Sequence, residues 1–231
     1  MAYGEIMLNI KWYGHSMWEV TIDKKKILYD PFGDIGYPLP SIEAVDIVIS
    51  SHEHANHSNF KSLQKLVFKK INQIGTYYVD NVTVRLIEVS HGRFEGKKLG
   101  DTFISVMTVA GLSIVHCGDI GVMPTESVLF DIATPDVLFI PVGGSYTIDA
   151  AVAGEIIKVV KPKNVFPMHY KTDVLTIENI EGIAPFLKLF PKTKIIEADN
   201  VTLTKKDFNT EKTQIFKLDY PQRASSGNEN I

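Results

Sequence analysis

The stretch SSHEHANHSNF, residues 50–60, places three histidines within six positions. His52 and His54 are two residues apart, so in an extended segment both side chains point to the same side. His57 follows three residues later, where a chain that curls toward a helix brings its side chain back to the same point. Neutral imidazole is a preferred ligand of zinc, copper and iron, and three such ligands with an open position are typical of catalytic zinc. The stretch therefore predicts a metal centre, with a His-rich surface loop as the alternative.

The segments around this stretch predict strands with few long helices. AVDIVISS, residues 44–51, is an almost continuous apolar run, typical of a strand buried on both faces. A helix is expected from about Ser58 to Ile71, because apolar residues recur there at helical spacing and Ser58 can cap it. Hairpins are expected to turn near residues 80–81 and 110–111, where Asp-Asn and Ala-Gly follow β-rich runs.

The second half of the chain alternates strand and helix patterns. DAAVAGEIIKVVK predicts a helix with Asp149 as its N-cap, and IENIEGIAPFLKLF predicts a helix that is interrupted near Pro185. TKIIEADNVTLTK, residues 193–205, is expected to close the chain in strand. Hairpins mixed with strand–helix–strand units favour an α/β fold with mixed sheets and outer helices.

Composition limits the class of protein. The 231 residues are 45% hydrophobic and 22% charged, as in ordinary globular proteins. We expect one domain over residues 1–220 and a loose polar tail over 221–231. The net charge of -3 gives no global basic field, so no nucleic acid is expected as a partner. A single cysteine, Cys117, excludes an internal disulfide framework, and no apolar run is long enough to span a bilayer. These features favour a cytoplasmic protein without a membrane partner.

Further potential ligands follow apolar strands elsewhere in the chain. His91 ends one such strand, Asp119 follows a second in IVHCGDIG, and His169 ends a third in NVFPMHYK. Each alone is explained as a capping or strand-end residue. Together with the His-rich stretch they form a set of imidazole and carboxylate donors at consecutive strand ends, which indicates a metal site. His116 stands on the opposite face from Asp119 by strand alternation, so we expect it to pack.

The order of these residues resembles the metallo-β-lactamase superfamily. The matching motifs are Asp30 in LYDPFG, H-x-H-x-N-H from His52 to His57, then His91, Asp119 and His169. The resemblance covers about residues 11–205. It implies a four-layer αββα sandwich of two mixed β-sheets, with the metal site along one edge of the sheets.

Three shorter motifs are similar to one branch of that superfamily. WYGHS, GGSYTID and FPMHY resemble the branch that contains the ascorbate-6-phosphate lactonase and related small metal-dependent hydrolases. This likeness places His15 near the active site; a strand-end histidine that only packs is the alternative.

The superfamily resemblance also implies ligand roles. The first metal ion would be bound by His52, His54 and His91, the second by Asn56, His57 and His169, with Asp119 bridging both. Asp30 would orient a ligand or the histidine loop, as carboxylates near metal-bound imidazoles do. Zn²⁺ is the expected metal, as one or two ions, with Mn²⁺ and Fe²⁺ as alternatives.

Asn56 is the departure from the superfamily pattern, which has an aspartate at this position. Asn offers a neutral carbonyl oxygen and an NH2 donor in place of a carboxylate. A site that lacks this negative charge holds excess cationic charge less well. We therefore expect the second metal ion to bind more weakly than in relatives with the acid.

The leading hypothesis is a metal-dependent hydrolase in which a metal-bound hydroxide attacks a carboxylic ester, lactone or phosphoester of a small molecule. Asp119, His15 and Asp30 are the expected catalytic residues. Ser145 and Tyr146 are candidates for substrate binding, although a loop hydroxyl near a helix start is commonly a cap. The alternatives are a metal-binding sensor or scaffold without turnover, and a nuclease. A homo-oligomer is left open.

Overall fold

A computed structural model of the chain describes residues 6–63, 65–66, 68–191 and 195–221. The expected tail lies outside the described residues, apart from Pro221. The strands and helices, in chain order, are β1 (Met7–Gly14), β2 (Met17–Ile22), β3 (Lys25–Tyr29), β4 (Ile47–Ile49), β5 (Lys69–Ile71), β6 (Gly75–Val79), β7 (Val82–Ser90), β8 (Arg93–Phe94), β9 (Lys97–Lys98), β10 (Asp101–Val109), β11 (Leu112–His116), α1 (Glu126–Asp131), β12 (Val137–Pro141), α2 (Ala150–Val160), β13 (Asn164–Met168), α3 (Ala184–Lys188), β14 (Ile195–Ala198), β15 (Asn200–Thr204), α4 (Lys205–Phe208) and β16 (Gln214–Leu218).

Two large mixed sheets contain most of these strands. The first sheet has the order β15-β1-β2-β3-β4-β5, and the second has the order β14-β16-β13-β12-β11-β10-β7-β6. In the first sheet β3, β4 and β5 are parallel, and in the second β11, β12, β13, β16 and β14 are parallel. The remaining pairs of both sheets are antiparallel, so the prediction of two mixed sheets in an α/β fold is confirmed.

Aromatic side chains from the two sheets meet in the core. The ring centroid of Trp18 on β2 lies 4.6 Å from Phe139 on β12 and 5.7 Å from Phe166 on β13. Tyr29 on β3 lies 6.0 Å from Phe139, and all four side chains are fully buried. Aromatic pairs at such distances add about 0.5–1.5 kcal/mol beyond their buried area. The sheets therefore face each other across a dense apolar layer that fixes their relative position.

The expected helix from Ser58 to Ile71 is wrong. A single 3-10 turn spans Phe60–Leu63, and Lys69–Ile71 forms β5, which pairs in parallel with β4. Apolar spacing favoured a helix here, but pairing with a central strand satisfies the backbone of the last three residues and buries Ile71 fully. Between β4 and β5 the described residues therefore form this one turn and no α-helix.

Other local predictions have mixed outcomes. The turns at 80–81 and 110–111 are confirmed, and the Asp149 side chain accepts a hydrogen bond from the Val152 amide as the N-cap of α2. The helix expected around Pro185 is wrong in extent, because α3 begins at Ala184 and has this proline in its first turn instead of being interrupted by it. The segment 193–205 is divided between sheets, and β16 follows it, between β14 and β13. No helix in the described residues is long and apolar enough to cross a membrane.

The ends of the central strands converge at one edge of the sandwich. His15, Asp30, His91 and His169 each come directly after the last residue of β1, β3, β7 and β13. Three of them adopt left-handed backbone conformations, with φ of 51° at His15, 44° at Asp30 and 51° at His169. Such conformations cost about 1–2 kcal/mol for residues other than glycine, so the surrounding fold must hold them.

Candidate metal centre

Two groups of metal-binding side chains lie at this edge. We call His52, His54 and His91 the outer cluster, and His15, His57, Asp119 and His169 the inner cluster. Within each cluster every residue offers one ligand atom, and these atoms all lie within 4.8 Å of one another. The structure thus brings together all the histidine and aspartate ligands that the sequence predicted, and it adds His15 to the second group.

The outer cluster joins the loop after β4 to the end of β7. The ring centroids of His52 and His54 are 4.5 Å apart, and that of His91 lies 4.8 Å from His52 and 5.3 Å from His54. His52 and His91 are buried, whereas His54 is exposed. This cluster is therefore the part of the centre that faces solvent.

The approach of His91 depends on a glycine. A Cβ atom at Gly121 would lie 2.0 Å from the backbone oxygen of His91, far inside van der Waals contact. The loop after β11 therefore passes directly against the end of β7 at Gly121, which keeps Asp119 and His91 within reach of each other.

Asp119 lies between the two clusters. Its Oδ2 atom is 3.0 Å from Nε2 of His57 and 3.2 Å from Nε2 of His169. The same oxygen is 3.7 Å from Nε2 of His91 and 4.0 Å from Nε2 of His52. Its Oδ1 atom accepts a 3.5 Å hydrogen bond from the hydroxyl of Ser16. One buried carboxylate is thus surrounded by imidazoles from both clusters, the geometry expected of a bridging ligand.

Asp30 fixes the histidine loop from behind. Its Oδ1 accepts a hydrogen bond from the Ser51 amide, and its Oδ2 accepts one from the Ser51 hydroxyl, both at 2.7 Å. Nδ1 of His57 lies 2.8 Å from Oδ2 of Asp30. If Nδ1–H of His57 donates to this carboxylate, the free lone pair of the ring is on Nε2, the nitrogen that faces Asp119.

The buried nitrogens of the site fit a metal ion better than they fit each other. Within the described residues, the buried imidazole nitrogens without a hydrogen-bond partner are Nδ1 of His15, Nε2 of His52, Nε2 of His57, Nδ1 of His91 and Nδ1 of His169. Nε2 of His57 lacks such a partner although it lies 3.0 Å from Asp119. Buried polar atoms are normally paired, so this concentration of unpaired nitrogens indicates ligands for a cation.

The electrostatics of the side chains by themselves also favour a cation at this site. Burial by itself lowers the pKa of His57, but the carboxylates of Asp119 and Asp30 raise it to about 10. Burial by itself raises the pKa of Asp119, but His169 and His57 hold it well below its usual range. Burial and the neighbouring His57 lower the pKa of His52 to about 3. The site therefore keeps an ionised carboxylate beside neutral His52 and takes up a proton at His57, where a bound cation would replace it.

Asn56 and His15 contact each other directly. Nδ2 of Asn56 lies 3.0 Å from Nε2 of His15, and Asn56 is half-buried whereas His15 is fully buried. Burial, followed by the nearby His169 and His57, lowers the pKa of His15 well below its ordinary value, so its imidazole is neutral. The expected metal ligand at position 56 therefore directs its amide toward a histidine.

A cavity of about 460 Å³ opens over the two clusters. His54, Asn56, His91, Asp119 and His169 contribute to its floor. Its apolar wall comes from Ile35, Leu99, Ile177 and the ring of Tyr146. Sequence reasoning missed Ile35, Leu99 and Ile177; the only local signal for Leu99 was its place between the β8–β9 hairpin, which follows His91, and β10.

The expected substrate-binding residues differ in their position. Tyr146 lines the cavity, and the centroid of its ring lies 4.4 Å from that of Phe94 on the β8–β9 hairpin, with the two rings tilted by 36°. Ser145 is exposed and is not among the described residues that line the cavity. His116 packs between the sheets: its ring stacks 4.9 Å from Tyr29, and its Nδ1 accepts a hydrogen bond from the Gly118 amide.

Comparison with known proteins agrees with this architecture. Residues 9–169 match the model of the beta-lactamase superfamily domain. A UPF0173 metal-dependent hydrolase of Carboxydothermus hydrogenoformans is 29% identical over 194 residues, which cover 71% of this chain and 85% of that protein. A UPF0173 metal-dependent hydrolase of Thermoplasma volcanium is 26% identical over 219 residues, which cover 81% of this chain and 97% of that protein.

Solved structures share the same fold. A crystal structure from Thermotoga maritima, described as a Zn-dependent hydrolase of the metallo-beta-lactamase superfamily, superposes with a TM-score of 0.76 at 29% identity, over 93% of this chain and 100% of that one. A metallo hydrolase of Ignicoccus hospitalis superposes with a TM-score of 0.64 at 20% identity, over 85% of this chain and 98% of that one, a likeness of fold alone. The narrower likeness to the ascorbate-6-phosphate lactonase stays a prediction. The chain belongs to the beta-lactamase superfamily, and the prediction of a metal-dependent hydrolase of that superfamily is confirmed.

Proposed function

We propose that the protein hydrolyses a carboxylic ester or lactone of a small, uncharged or weakly charged molecule, with zinc as its metal. One observation carries the choice of substrate: the cavity over the clusters has apolar walls, and its described lining residues include no lysine or arginine. The mostly imidazole donors of the two clusters favour zinc over manganese or magnesium.

The outer cluster would hold one ion and the inner cluster a second, with Asp119 shared between them. When bound, such ions lower the pKa of a water molecule and polarise the oxygen of the substrate. The contribution of the chain is to keep the donors in place. Asp30 orients His57 through its contact with Nδ1 and fixes the loop through Ser51. Asp119 supplies a negative charge that is buried and ionised.

The cavity walls would select the substrate. Ile35, Leu99 and Ile177 can contact an apolar acyl group and exclude water from it. Asp34 is exposed and is the one carboxylate besides Asp119 among the described lining residues, so it would repel an anionic substituent. Phosphate groups are usually recognised by arginine or lysine, which makes a phosphoester or a nucleic acid a poorer fit to this cavity.

A matched pair of variants tests the substrate class. The zinc-loaded protein is assayed against p-nitrophenyl esters of increasing acyl length, γ-lactones and a bis-p-nitrophenyl phosphodiester, with and without chelator. We expect chelator-sensitive turnover of esters or lactones that exceeds turnover of the phosphodiester. Leu99→Arg, which places a cation on the wall, should raise the phosphodiester-to-ester ratio by on the order of tenfold, the worth of one charge-assisted hydrogen bond.

Leu99→Met is the control, because it conserves the volume and apolar character of the wall and should leave this ratio unchanged. Faster turnover of the phosphodiester by the native protein would contradict the proposed substrate class. Turnover that persists fully in chelator would contradict the metal-dependent chemistry at this site. Absence of turnover across the panel, with metal bound, would favour a sensor or scaffold.

A further inference from the structure

His15 is far from the other ligands along the chain but is buried among them in the structure. It lies 41 residues before Asn56, on the turn between β1 and β2, and its side chain is completely buried. Its ring centroid is 4.1 Å from that of His169 and 5.0 Å from that of His57. The imidazole is therefore inserted between two residues of the inner cluster.

The backbone around His15 holds this position firmly. Its carbonyl oxygen accepts a 3.0 Å hydrogen bond from the indole of Trp12 and a 3.2 Å hydrogen bond from the amide of His169. Its φ of 51° is left-handed, which is costly for histidine. Strain that the fold maintains at a buried polar residue is a reason to look for a function of its side chain.

The two nitrogens of His15 have different partners. Nε2 contacts the Asn56 amide at 3.0 Å, whereas Nδ1 is buried and has no hydrogen-bond partner. An imidazole that binds a metal through one nitrogen typically donates its other N–H to an oxygen nearby. The amide of Asn56 can present its oxygen to Nε2–H, since amide oxygen and nitrogen exchange places by a simple flip.

We propose that His15 is a ligand of the second metal ion, bound through Nδ1, together with His57, Asp119 and His169. Asn56 is then a positioning residue that holds the His15 ring through Nε2 and does not bind the ion itself. This inference rests on the proposed function only in requiring a metal ion at the inner cluster.

A ligand role for His15 in place of Asn56 has a consequence for metal preference. Three imidazoles and one carboxylate form a nitrogen-rich set, which suits Zn²⁺ or Co²⁺ and is unfavourable for Mn²⁺ or Mg²⁺. A neutral imidazole also leaves Asp119 as the one anionic donor of the inner cluster. The inner cluster should therefore bind hard cations such as Mn²⁺ and Mg²⁺ much more weakly than Zn²⁺.

Metal counting in variants tests the proposal without any assay of activity. Equilibrium dialysis against Zn²⁺, followed by metal analysis, should give two ions per native chain. His15→Gln retains a group that can contact Asn56 but lacks the imidazole. This substitution should lower the affinity for the second ion by more than about 100-fold. Asn56→Ala should weaken it by about 10–100-fold, the usual effect of losing a partner that orients a ligand. The double variant His15→Gln with Asn56→Asp should regain the second ion through the new carboxylate.

His116→Gln is the matched control, because His116 is equally buried but lies outside both clusters, and it should retain two ions. Zinc-edge anomalous scattering from crystals of the native protein gives an answer that does not depend on any variant folding. We expect an ion about 2.0–2.1 Å from Nδ1 of His15, the usual Zn–N distance.

Several outcomes would overturn the inference. They are a single ion in the native protein at saturating zinc, an ion bound to Asn56 with His15 beyond ligand distance, and a greater loss of metal in Asn56→Ala than in His15→Gln. None of these depends on turnover, so a failure of the proposed substrate class would leave this result unaffected.

Discussion

The two clusters contain similar donors but differ in how the fold supports them. The outer cluster has an exposed member, His54, and its imidazoles are held mainly by the loop after β4 and the end of β7. The inner cluster is buried throughout, contains Asp119, and is fixed by Asp30. An ion at the inner cluster would therefore be coupled to the stability of the whole sandwich, whereas an ion at the outer cluster would exchange more readily with solvent.

The largest difference between the clusters should follow from removing one histidine from each. His57→Ala removes a ligand and leaves Asp30 and Asp119 as buried carboxylates without their shared partner. Breaking such a pair typically costs about 3–5 kcal/mol of unfolding free energy. His54→Ala removes an exposed ligand, so we expect a change in unfolding free energy within about 0.5 kcal/mol.

Urea unfolding of the metal-free proteins measures the unfolding free energy of the native protein and of both variants. Metal analysis after dialysis should show that His57→Ala loses the inner ion and His54→Ala the outer one. Equal destabilisation by the two substitutions would show that the clusters are supported alike, contrary to the comparison.

A smaller effect is expected when the support of the inner cluster is changed without removing a ligand. Asp30→Asn keeps the size of the side chain but weakens its contacts with Ser51 and with Nδ1 of His57. We expect zinc affinity to fall by about 10–100-fold, with the loss concentrated at the inner ion. Competition with a chromophoric chelator measures both binding steps, and a loss confined to the outer ion would contradict the assigned role.

Acidity should distinguish the clusters in the metal-free protein. Burial lowers the pKa of His57, but Asp119 and Asp30 raise it to about 10, whereas in an unfolded chain it is about 6.5. A proton bound more tightly by the folded state stabilises that state fully below about pH 6.5, and this stability is lost as the pH rises toward 10. Thermal unfolding of the metal-free protein should therefore show a melting temperature that falls over this interval.

Zinc-loaded protein should lack this dependence, because a metal-bound His57 has already given up its proton. His57→Ala should lack it as well, which separates His57 from other groups that titrate in the same interval. A flat profile in the metal-free native protein would contradict the proposed protonation of the inner cluster.

The smallest effect on zinc affinity concerns the close approach of the loop after β11 to the end of β7 at Gly121. Gly121→Ala would put a Cβ atom against the His91 oxygen, so the loop that carries Asp119 must shift. Because the clash is with backbone atoms, we expect a loss of unfolding free energy, and with it a modest loss of zinc affinity at the outer ion, since a shift of this loop moves Asp119 relative to His91. Calorimetric titration with zinc measures this loss, beside Gly182→Ala as a control, since Gly182 has an ordinary φ and a Cβ atom there would meet only the Lys171 oxygen at 3.9 Å.

The sequence predicted the chemistry at the strand ends better than the path of the chain between them. The resemblance to the superfamily implied the grouping of His52, His54 and His91, and of His57 with Asp119 and His169. The structure groups these residues in the same way, because strand ends of both sheets meet at one edge. The contact between Asn56 and His15 could not be predicted from spacing, since it joins loops of different strands across 41 residues. The helix over residues 58–71 failed because pairing of Lys69–Ile71 with β4 outweighed a local apolar pattern.

Each cluster takes donors from both sheets. His15, the His52–His57 loop and Asp30 belong to the first sheet, and His91, Asp119 and His169 belong to the second. A bound ion would act as a cross-link between the sheets, in a chain whose single cysteine cannot form an internal disulfide. A chelator would then be an inhibitor and a destabilising agent at once. Loss of metal in the cell would therefore make the protein inactive and also more susceptible to proteolysis, because the ions would connect the two sheets at the edge that carries the chemistry.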